Sequence, residues 1–252
     1  MSIKSFSKEE IIKGIESFEP YHTNRIRLMY VDEHIQKDTF ETACKLYSNL
    51  RGLSYDDVIV IERFGSKNEK LLPMVSNMSF KTPFGEVHVN DQLRNDFCDE
   101  DDDFFIDDSG LSEKMCIYDQ LMMLQCVLND FNVLSIQIAD QRPSIIRELA
   151  TAVAELMRDR NALVIVCSNV SNSSLADLDN IESLIKSKEH SKLLNYLNTG
   201  DAGVVGPGPL AAGVLIAENW ELENHFITFE EKSPNFLAGC GTLPGYKRIL
   251  RG

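Results

Sequence analysis

Polar side chains follow the apolar run ALVIVC directly, at Ser168, Asn169, Ser171 and Asn172. A short continuous apolar run is typical of a strand that is buried on both faces of a parallel sheet. Ligands of open parallel sheets gather outside the carboxyl ends of the strands, so this cluster is where we expect a site. Amides and hydroxyls form hydrogen bonds, but they do not exchange protons near neutral pH and hold metals poorly. The cluster therefore predicts binding more than catalysis.

Histidine and cysteine give weaker signals. The five histidines stand apart, with no H-E-x-x-H pattern, and the six cysteines contain no C-x-x-C pair, which predicts reduced thiols. Cys240 lies between glycines that would allow a substrate to approach closely. A catalytic thiol needs a base or a positive environment, and no neighbour in sequence supplies one. A small buried residue is the favoured interpretation of Cys240.

Two biased segments also resemble ligand sites. The acidic run from Asp99 to Asp108 lacks the spaced acids and glycine of a calcium loop, and contiguous carboxylates point in different directions, so we interpret it as a solvated loop. The glycine-rich segment 200–213 precedes a predicted helix but lacks the lysine of a phosphate-binding loop. We interpret it as a loop and helix cap.

The elements that must position these residues follow from hydrophobic periodicity. Two buried strands with an amphipathic helix between them form a β-helix-β unit, which predicts a mainly parallel central sheet flanked by helices. The predicted strands are near 26–30, 57–61, 134–140 and 162–169, with a glycine-broken strand in 235–249; the predicted helices are near 8–18, 39–50 and 144–161, two within 178–198, and one after Pro207-Gly-Pro209.

Composition limits the class of protein. We expect one α/β domain over 1–252, because no Pro/Gly/Ser-rich linker divides the chain. The apolar runs are shorter than the roughly 20 residues of a membrane span, and the N-terminus has no apolar core of a signal peptide, so we expect a cytoplasmic protein with no membrane partner. A formal charge of −14 repels phosphate backbones and argues against nucleic acid as a partner.

The segment TPFGEVHVND predicts a stiff corner followed by a short, half-buried strand. Pro83 fixes φ and removes a backbone donor, and Gly85 relieves the turn. Asp91, at its end, is expected to cap the next helix.

This corner resembles the T-P-x-G-x-x-x-x-D segment of the Memo family, also called component B of the AmmeMemoRadiSam system. The order and spacing of segments agree with that family over about residues 8–245. The resemblance implies a Memo-like α/β fold, similar to that of the class III extradiol dioxygenases, which use non-haem iron.

The chain departs from the family where family members carry polar site residues. The His and Glu of the motif His-Ser-Ile-Glu-x-Gln-Leu-Pro fall on Met115 and Tyr118, while its Gln is kept as Gln120. The Asp and His of the motif Ser-Ser-Asp-x-Ser-His fall on Asn169 and Asn172. At four positions, the His, Asp or Glu of the family is thus replaced by another residue type.

Two histidine-bearing loops of the family are also altered. Its Pro-His-Ala-Gly-Tyr loop falls near Asp32-Glu33-His34-Ile35, so Glu33 or His34 takes the histidine position. Its Gly-Pro-Ser-His loop falls on Glu62-Arg63-Phe64-Gly65, and its late cysteine falls near Val205. A non-haem iron site needs two histidines and a carboxylate, so the resemblance implies that the metal site of the family is absent here.

Two hypotheses follow for function. The first is a catalytically degenerate Memo-like protein, without cofactor, that binds a protein partner or a small molecule. The alternative is an enzyme with a rebuilt site in the same cleft, an oxidoreductase using non-haem iron or copper, or a hydrolase. If the resemblance holds, Glu33, Tyr118 and Asn169 should line one cleft. The candidate cleft residues are Glu33, His34, Met115, Tyr118, Gln120, Ser168, Asn169, Asn172 and Cys240.

Overall fold

The fold is that of a computed structural model, which describes residues 2–21, 24–65, 71–227 and 236–247. Its strands are β1 (Asn24–Asp32), β2 (Asp57–Arg63), β3 (Leu72–Met74), β4 (Ser79–Thr82), β5 (Gly85–His88), β6 (Phe104–Ile106), β7 (Asn132–Ile138), β8 (Ala162–Ser168), β9 (Glu223–Phe226) and β10 (Gly239–Lys247). Its α-helices are α1 (Lys8–Glu16), α2 (Phe40–Ser48), α3 (Asp91–Glu100), α4 (Ile117–Val127), α5 (Pro143–Leu156), α6 (Leu175–Lys186), α7 (His190–Thr199) and α8 (Gly208–Asn219).

The central sheet has the strand order β7-β2-β8-β1-β10-β9. The first four strands run parallel, and β10 pairs antiparallel with both β1 and β9. Strands β2, β7 and β8 are almost entirely buried, as their continuous apolar runs predict. The predicted α/β class with a mainly parallel sheet is confirmed.

Helices cover both faces of this sheet. Helix α8 packs on α5 and against β1, β2 and β8, where the missing side chain of Gly213 admits Tyr30 and Val166. Helices α1, α2 and α4 pack on one another. Adjacent residues of a strand face opposite sides, so Cys167 points away from α8 and contacts Cys116 next to α4. Within the described residues, no helix is long and apolar enough to cross a membrane.

Several helix boundaries follow the predicted signals. Ser7 and Glu10 form the capping box of α1, and Pro209 lies in the first turn of α8. Helix α5 ends at Leu156, five residues earlier than predicted. The helix pair expected within 178–198 is observed as α6 and α7.

The acidic run is more ordered than predicted. Its first residues end α3, and Phe104–Ile106 forms β6, which pairs in parallel with β3. Phe104 is buried and packs on Phe97 at a centroid distance of 5.1 Å. The interpretation of 99–108 as a loop is therefore wrong for Phe104–Ile106, because the buried side chain of Phe104 anchors this part of the segment to the core, while the acidic side chains around it stay exposed or half-buried.

The TPFG corner is the turn of a hairpin between β4 and β5. Gly85 has φ +128°, a value that favours glycine, and Val87 is buried between the exposed Glu86 and His88. The predicted capping residue was wrong. Asn90 caps α3 by accepting a hydrogen bond from Leu93 N at 3.0 Å, and Asp91 lies in the first turn, paired with Arg94.

Candidate functional site

The parallel strands β1, β2, β7 and β8 end at one edge of the central sheet, here called the carboxyl edge. The residues that follow them are unusually polar for a buried region. Glu33 follows β1, Glu62 and Arg63 end β2, and Asn169 follows β8. In a sheet of this kind the carboxyl edge is the expected place for a site.

Glu33 joins three of these segments. Its Oε1 accepts a hydrogen bond from Arg63 Nε at 2.5 Å, and its Oε2 accepts one from Asn169 Nδ2 at 3.0 Å. The backbone N–H of Glu33 donates to Ser168 O at 3.2 Å. Glu33 is 5% exposed, so the ion pair with Arg63 is what allows its carboxylate to lie in the interior. We call Glu33, Arg63 and Asn169 the carboxylate network.

Glu62 forms a second, deeper group. Its Oε2 accepts from Cys116 N at 2.7 Å and its Oε1 accepts from Ser135 Oγ at 3.0 Å. Burial raises the pKa of Glu62, and the hydrogen bonds from Cys116 and Ser135 only partly oppose that rise. Burial also raises the pKa of both Cys116 and Cys167, so neither thiol is activated as a nucleophile.

Two further titratable groups, Asp32 and His34, lie at the end of β1 and just after it. His34 Nδ1 is 3.5 Å from Asp119 Oδ2, and the hydrogen bond to Asp119 raises the pKa of His34. Asp119 Oδ2 also accepts from Ile35 N at 3.1 Å. Burial raises the pKa of Asp32 to about 7, with backbone N–H donors opposing the shift. An imidazole and a carboxyl whose pKa values are both raised therefore lie close together at this edge.

A cavity of about 350 Å³ opens at the carboxyl edge; we call it the edge cavity. Its walls include charged groups, two serines, two glycines and a few apolar side chains. The lining residues are Glu33, His34, Glu62, Arg63, Phe64, Gly65, Ser109, Gly110, Ser112, Lys114, Met115, Cys116 and Gln137. Its volume is at the lower end of the range for small-molecule sites.

Six of the nine predicted site residues lie at or next to this edge. Glu33, His34 and Met115 line the edge cavity, and Asn169 binds Glu33. Ser168 is buried beside them, and its Oγ has no hydrogen-bond partner among the described residues. Gln120 is fully buried behind them, where it accepts from Tyr47 Oη at 2.6 Å and donates to Asp32 O at 3.0 Å.

The other three lie elsewhere. Tyr118 lines a separate cavity of about 360 Å³ with Lys4 and Lys81, so the expectation that Glu33, Tyr118 and Asn169 share one cleft fails for Tyr118. Asn172 is exposed. Cys240 is fully buried in β10 opposite Met29, and burial raises its pKa to about 12, in agreement with the structural interpretation of that residue.

Sequence reasoning gave too little weight to several residues of the site. The sequence patterns assign no role to Asp32, Asp119 and Gln137. Arg63 enters only as part of the segment 62–65, which has no histidine where the family loop carries one. A usable signal existed for Gln137 and Glu62, since each is a polar residue near the carboxyl end of an otherwise apolar strand. A buried polar residue is more informative than an exposed apolar one. No sequence pattern near Glu33 or Arg63 indicates that these two side chains form an ion pair.

The residues present do not fit the non-haem iron used by the dioxygenases whose fold the family shares. Such a site needs two imidazoles and a carboxylate on one face, with open positions. Among the residues that the structure describes, the carboxyl edge offers one imidazole, His34, whose Nδ1 faces Asp119, and the carboxylate of Glu33 is paired with Arg63. No group of three or more His, Cys, Asp and Glu side chains in the described ranges could hold a metal ion.

Comparisons with known proteins bear on the family. The model of the Memo-like protein family matches residues 11–234. A MEMO1 family protein of Nitrosopumilus maritimus is 24% identical over 217 residues, covering 82% of this chain and 78% of that protein. One from Thermotoga neapolitana is 30% identical over 143 residues, covering 52% of this chain and 50% of that protein.

A solved structure shares the fold. An uncharacterized protein of Escherichia coli K12, JW3007, superimposes with a TM-score of 0.55 over 86% of this chain and 100% of its own, at 11% identity. At 11% identity, the similarity shows a shared fold and says nothing about function. The family match spans β1 to α8 and every segment of the carboxyl edge, and the chain belongs to the Memo-like protein family.

Proposed function

We propose that this protein is a catalytically degenerate member of its family that acts by binding, with the carboxyl edge as its binding surface for a small molecule or a protein partner. One observation carries the proposal. Glu33 lies in the segment 32–35, on which the histidine-bearing loop of the family falls, and it is bound by Arg63 and Asn169. A carboxylate whose oxygens are held by a guanidinium and an amide is less available to a metal ion than a free one.

The proposal includes the surroundings in which the protein acts. A cytoplasmic location agrees with six cysteines that the structure leaves unpaired. The charge of −14 supports partners other than nucleic acid.

Metal content tests the proposal. We expect protein purified and dialysed against a chelator to hold well under one equivalent of iron or copper, measured by plasma mass spectrometry, and to regain none on incubation with Fe²⁺ or Cu²⁺. The variant Asn169→Asp with Arg63→His provides a matched comparison, since it adds an imidazole and a carboxylate beside Glu33. Stoichiometric metal that survives dialysis in the unaltered protein would overturn the proposal.

A second candidate function is an enzyme with a rebuilt site. The observation favouring it is that Asp32 has a pKa raised to about 7 by burial and lies two residues from His34, whose pKa is also raised. General acids and bases work best when they titrate near the operating pH. If a hydrolytic or isomerase activity is detected, Glu33→Ala, His34→Ala and Asp32→Asn should each lower it at least tenfold. Unchanged turnover in all three variants excludes this candidate.

A further inference from the structure

Strand β6 lies at the margin of its sheet, because β3 is its only partner among the described strands. Leu72 N donates to Asp103 O at 3.1 Å, and the hydrogen bonds of a parallel pair involve alternate residues of each strand. Phe105 therefore directs its backbone groups toward β3. The backbone groups of Phe104 and Ile106 point to the opposite side, which we call the outer side of β6.

The outer side of β6 has unused backbone groups. Phe104 N donates to Asp101 O at 3.2 Å, but Phe104 O and both backbone groups of Ile106 form no hydrogen bond within the described ranges. The apolar side chain of Ile106 is also 46% exposed. A strand margin with unpaired N–H and C=O groups and an exposed apolar side chain is a template for pairing with another chain.

The segment that leads into β6 is strongly acidic. Residues 99–103 are five consecutive acids, and none of them forms an ion pair with the residues that the structure describes. The hydrogen bond from Asp103, together with burial, raises the pKa of Glu148 in α5 to about 7, and Arg142 only partly opposes that rise. A carboxyl that holds a proton at neutral pH indicates uncompensated negative charge. Charge complementarity therefore favours a basic partner at this place.

The two faces of β6 differ in chemistry, because side chains alternate across a strand. Asp103, with Glu148 beside it, lies on one face, and Ile106 lies on the other. A matching strand carries Lys or Arg toward Asp103 and apolar side chains toward Ile106, since opposite charges and apolar pairs across two strands are both stabilising. A second copy of this chain does not match, because it would bring two acidic segments together.

We propose that the outer side of β6 binds an extended, basic segment of a partner protein by strand addition. The backbone of that segment pairs with Phe104 O and with the N–H and C=O of Ile106. Its basic side chains lie toward Asp103, and its apolar side chains lie beside Ile106. None of these residues lines the edge cavity, so this interaction surface is separate from the carboxyl edge and goes beyond the proposed function.

Binding of short peptides to the full chain tests the proposal by fluorescence anisotropy. The probe is Lys-Val-Lys-Val-Lys-Val-Lys, and its controls are the block peptide Lys-Lys-Lys-Lys-Val-Val-Val and the acidic peptide Glu-Val-Glu-Val-Glu-Val-Glu. We expect the probe to bind about tenfold more tightly than the block peptide and the acidic peptide not to bind, because strand addition requires the alternating pattern. Equal affinities for the two basic peptides, or no binding of the probe, would overturn the proposal.

N-methylated probes test the backbone contact and give the direction of the added strand. In an antiparallel pair, the residue opposite Ile106 exchanges both backbone hydrogen bonds with it, and that residue is a valine because it shares the face of Ile106. In a parallel pair, the neighbouring lysines supply the N–H groups. We expect N-methylation of one of these two sets, and not of the other, to weaken binding about tenfold. Unchanged binding of both methylated probes, or equal loss in both, contradicts pairing along this side of β6.

Variants of the protein locate the contact. Ile106→Pro removes an outward N–H that takes no part in the pairing with β3, so it should fold and bind the probe about tenfold more weakly. If it does not fold by circular dichroism, Ile106→Lys should weaken binding by repelling the lysines of the probe. Asp102→Asn with Asp103→Asn should also weaken binding, whereas Asp130→Asn with Asp179→Asn removes the same charge from exposed positions elsewhere and should change it little. Binding that no substitution in 102–106 alters would overturn the assignment to β6.

Discussion

The carboxyl edge buries its acidic residues, whereas the β4–β5 hairpin leaves Glu86 exposed to solvent. The edge buries Glu33, Glu62 and Asp119 at 5%, 3% and 2% exposure, each supported by donors from distant segments. The hairpin keeps Glu86 exposed and satisfies its turn locally, with Thr82 Oγ1 accepting from Phe84 N at 3.0 Å. Local turn chemistry survives changes elsewhere, whereas a buried charge depends on each partner. The difference predicts that substitutions at the edge cost more stability than substitutions in the hairpin.

The sharpest test of this comparison is removal of a partner at the edge. Arg63→Met leaves the buried carboxylate of Glu33 with Asn169 alone, and we expect a loss of about 2–3 kcal/mol in the free energy of unfolding. Urea denaturation of this variant, Glu33→Leu and the double variant measures the coupling. The double variant should recover at least half of the loss. Additive losses would show that the two side chains do not depend on one another.

The pH dependence of stability tests the buried carboxyl of Asp32. Its pKa is about 7 in the folded protein and near 3.8 when unfolded, so between about pH 4 and 7 the folded form holds a proton that the unfolded form releases. The contribution of Asp32 is therefore fully present below pH 4 and is lost as the pH rises to 7.

Replacing this carboxyl provides the measurement. Asp32→Asn should be more stable than the unaltered protein at pH 8, by an amount on the order of 2 kcal/mol, and should differ little from it at pH 4. Asp130→Asn, at an exposed carboxyl, serves as the control. A constant difference across this range would contradict the raised pKa.

At the hairpin the expected effects are smaller and come from the backbone. Gly85→Ala places a side chain at φ +128°, and we expect a loss of about 1–2 kcal/mol, measured by thermal unfolding. Gly65→Ala is the control, because a Cβ there meets no described residue within 4 Å and the backbone is not in the left-handed region. Equal effects at the two positions would mean that the turn does not require glycine.

The smallest expected effect distinguishes two adjacent residues at the start of α3. Asn90→Ala should cost about 1 kcal/mol because it removes the N-cap, whereas Asp91→Ala should cost less than about 0.5 kcal/mol. Chemical denaturation of both variants decides between them. A larger loss in Asp91→Ala would restore the capping role that the sequence pattern predicts for Asp91.

Sequence reasoning succeeded where the signal was local. Continuous apolar runs predicted β2, β7 and β8, and the Ser7 capping box predicted the start of α1. The short strands β3, β4, β6 and β9 were missed because three or four residues carry no usable periodicity. The edge was predicted only as a region, since Glu33 and Asn169 are 136 residues apart and no spacing rule connects them.

The carboxylate network has a kinetic consequence. The backbone of Asn169 pairs with Val205, whose N–H donates to Asn169 O at 2.8 Å, and the next residue, Gly206, packs on the side chain of Arg63. The edge is thus closed by segments near residues 33, 63, 169 and 205, and contacts between such distant segments form slowly because a long loop must close first. We therefore expect the carboxyl edge to be completed late in folding and to be among the first parts of the central sheet to exchange its amide hydrogens under native conditions.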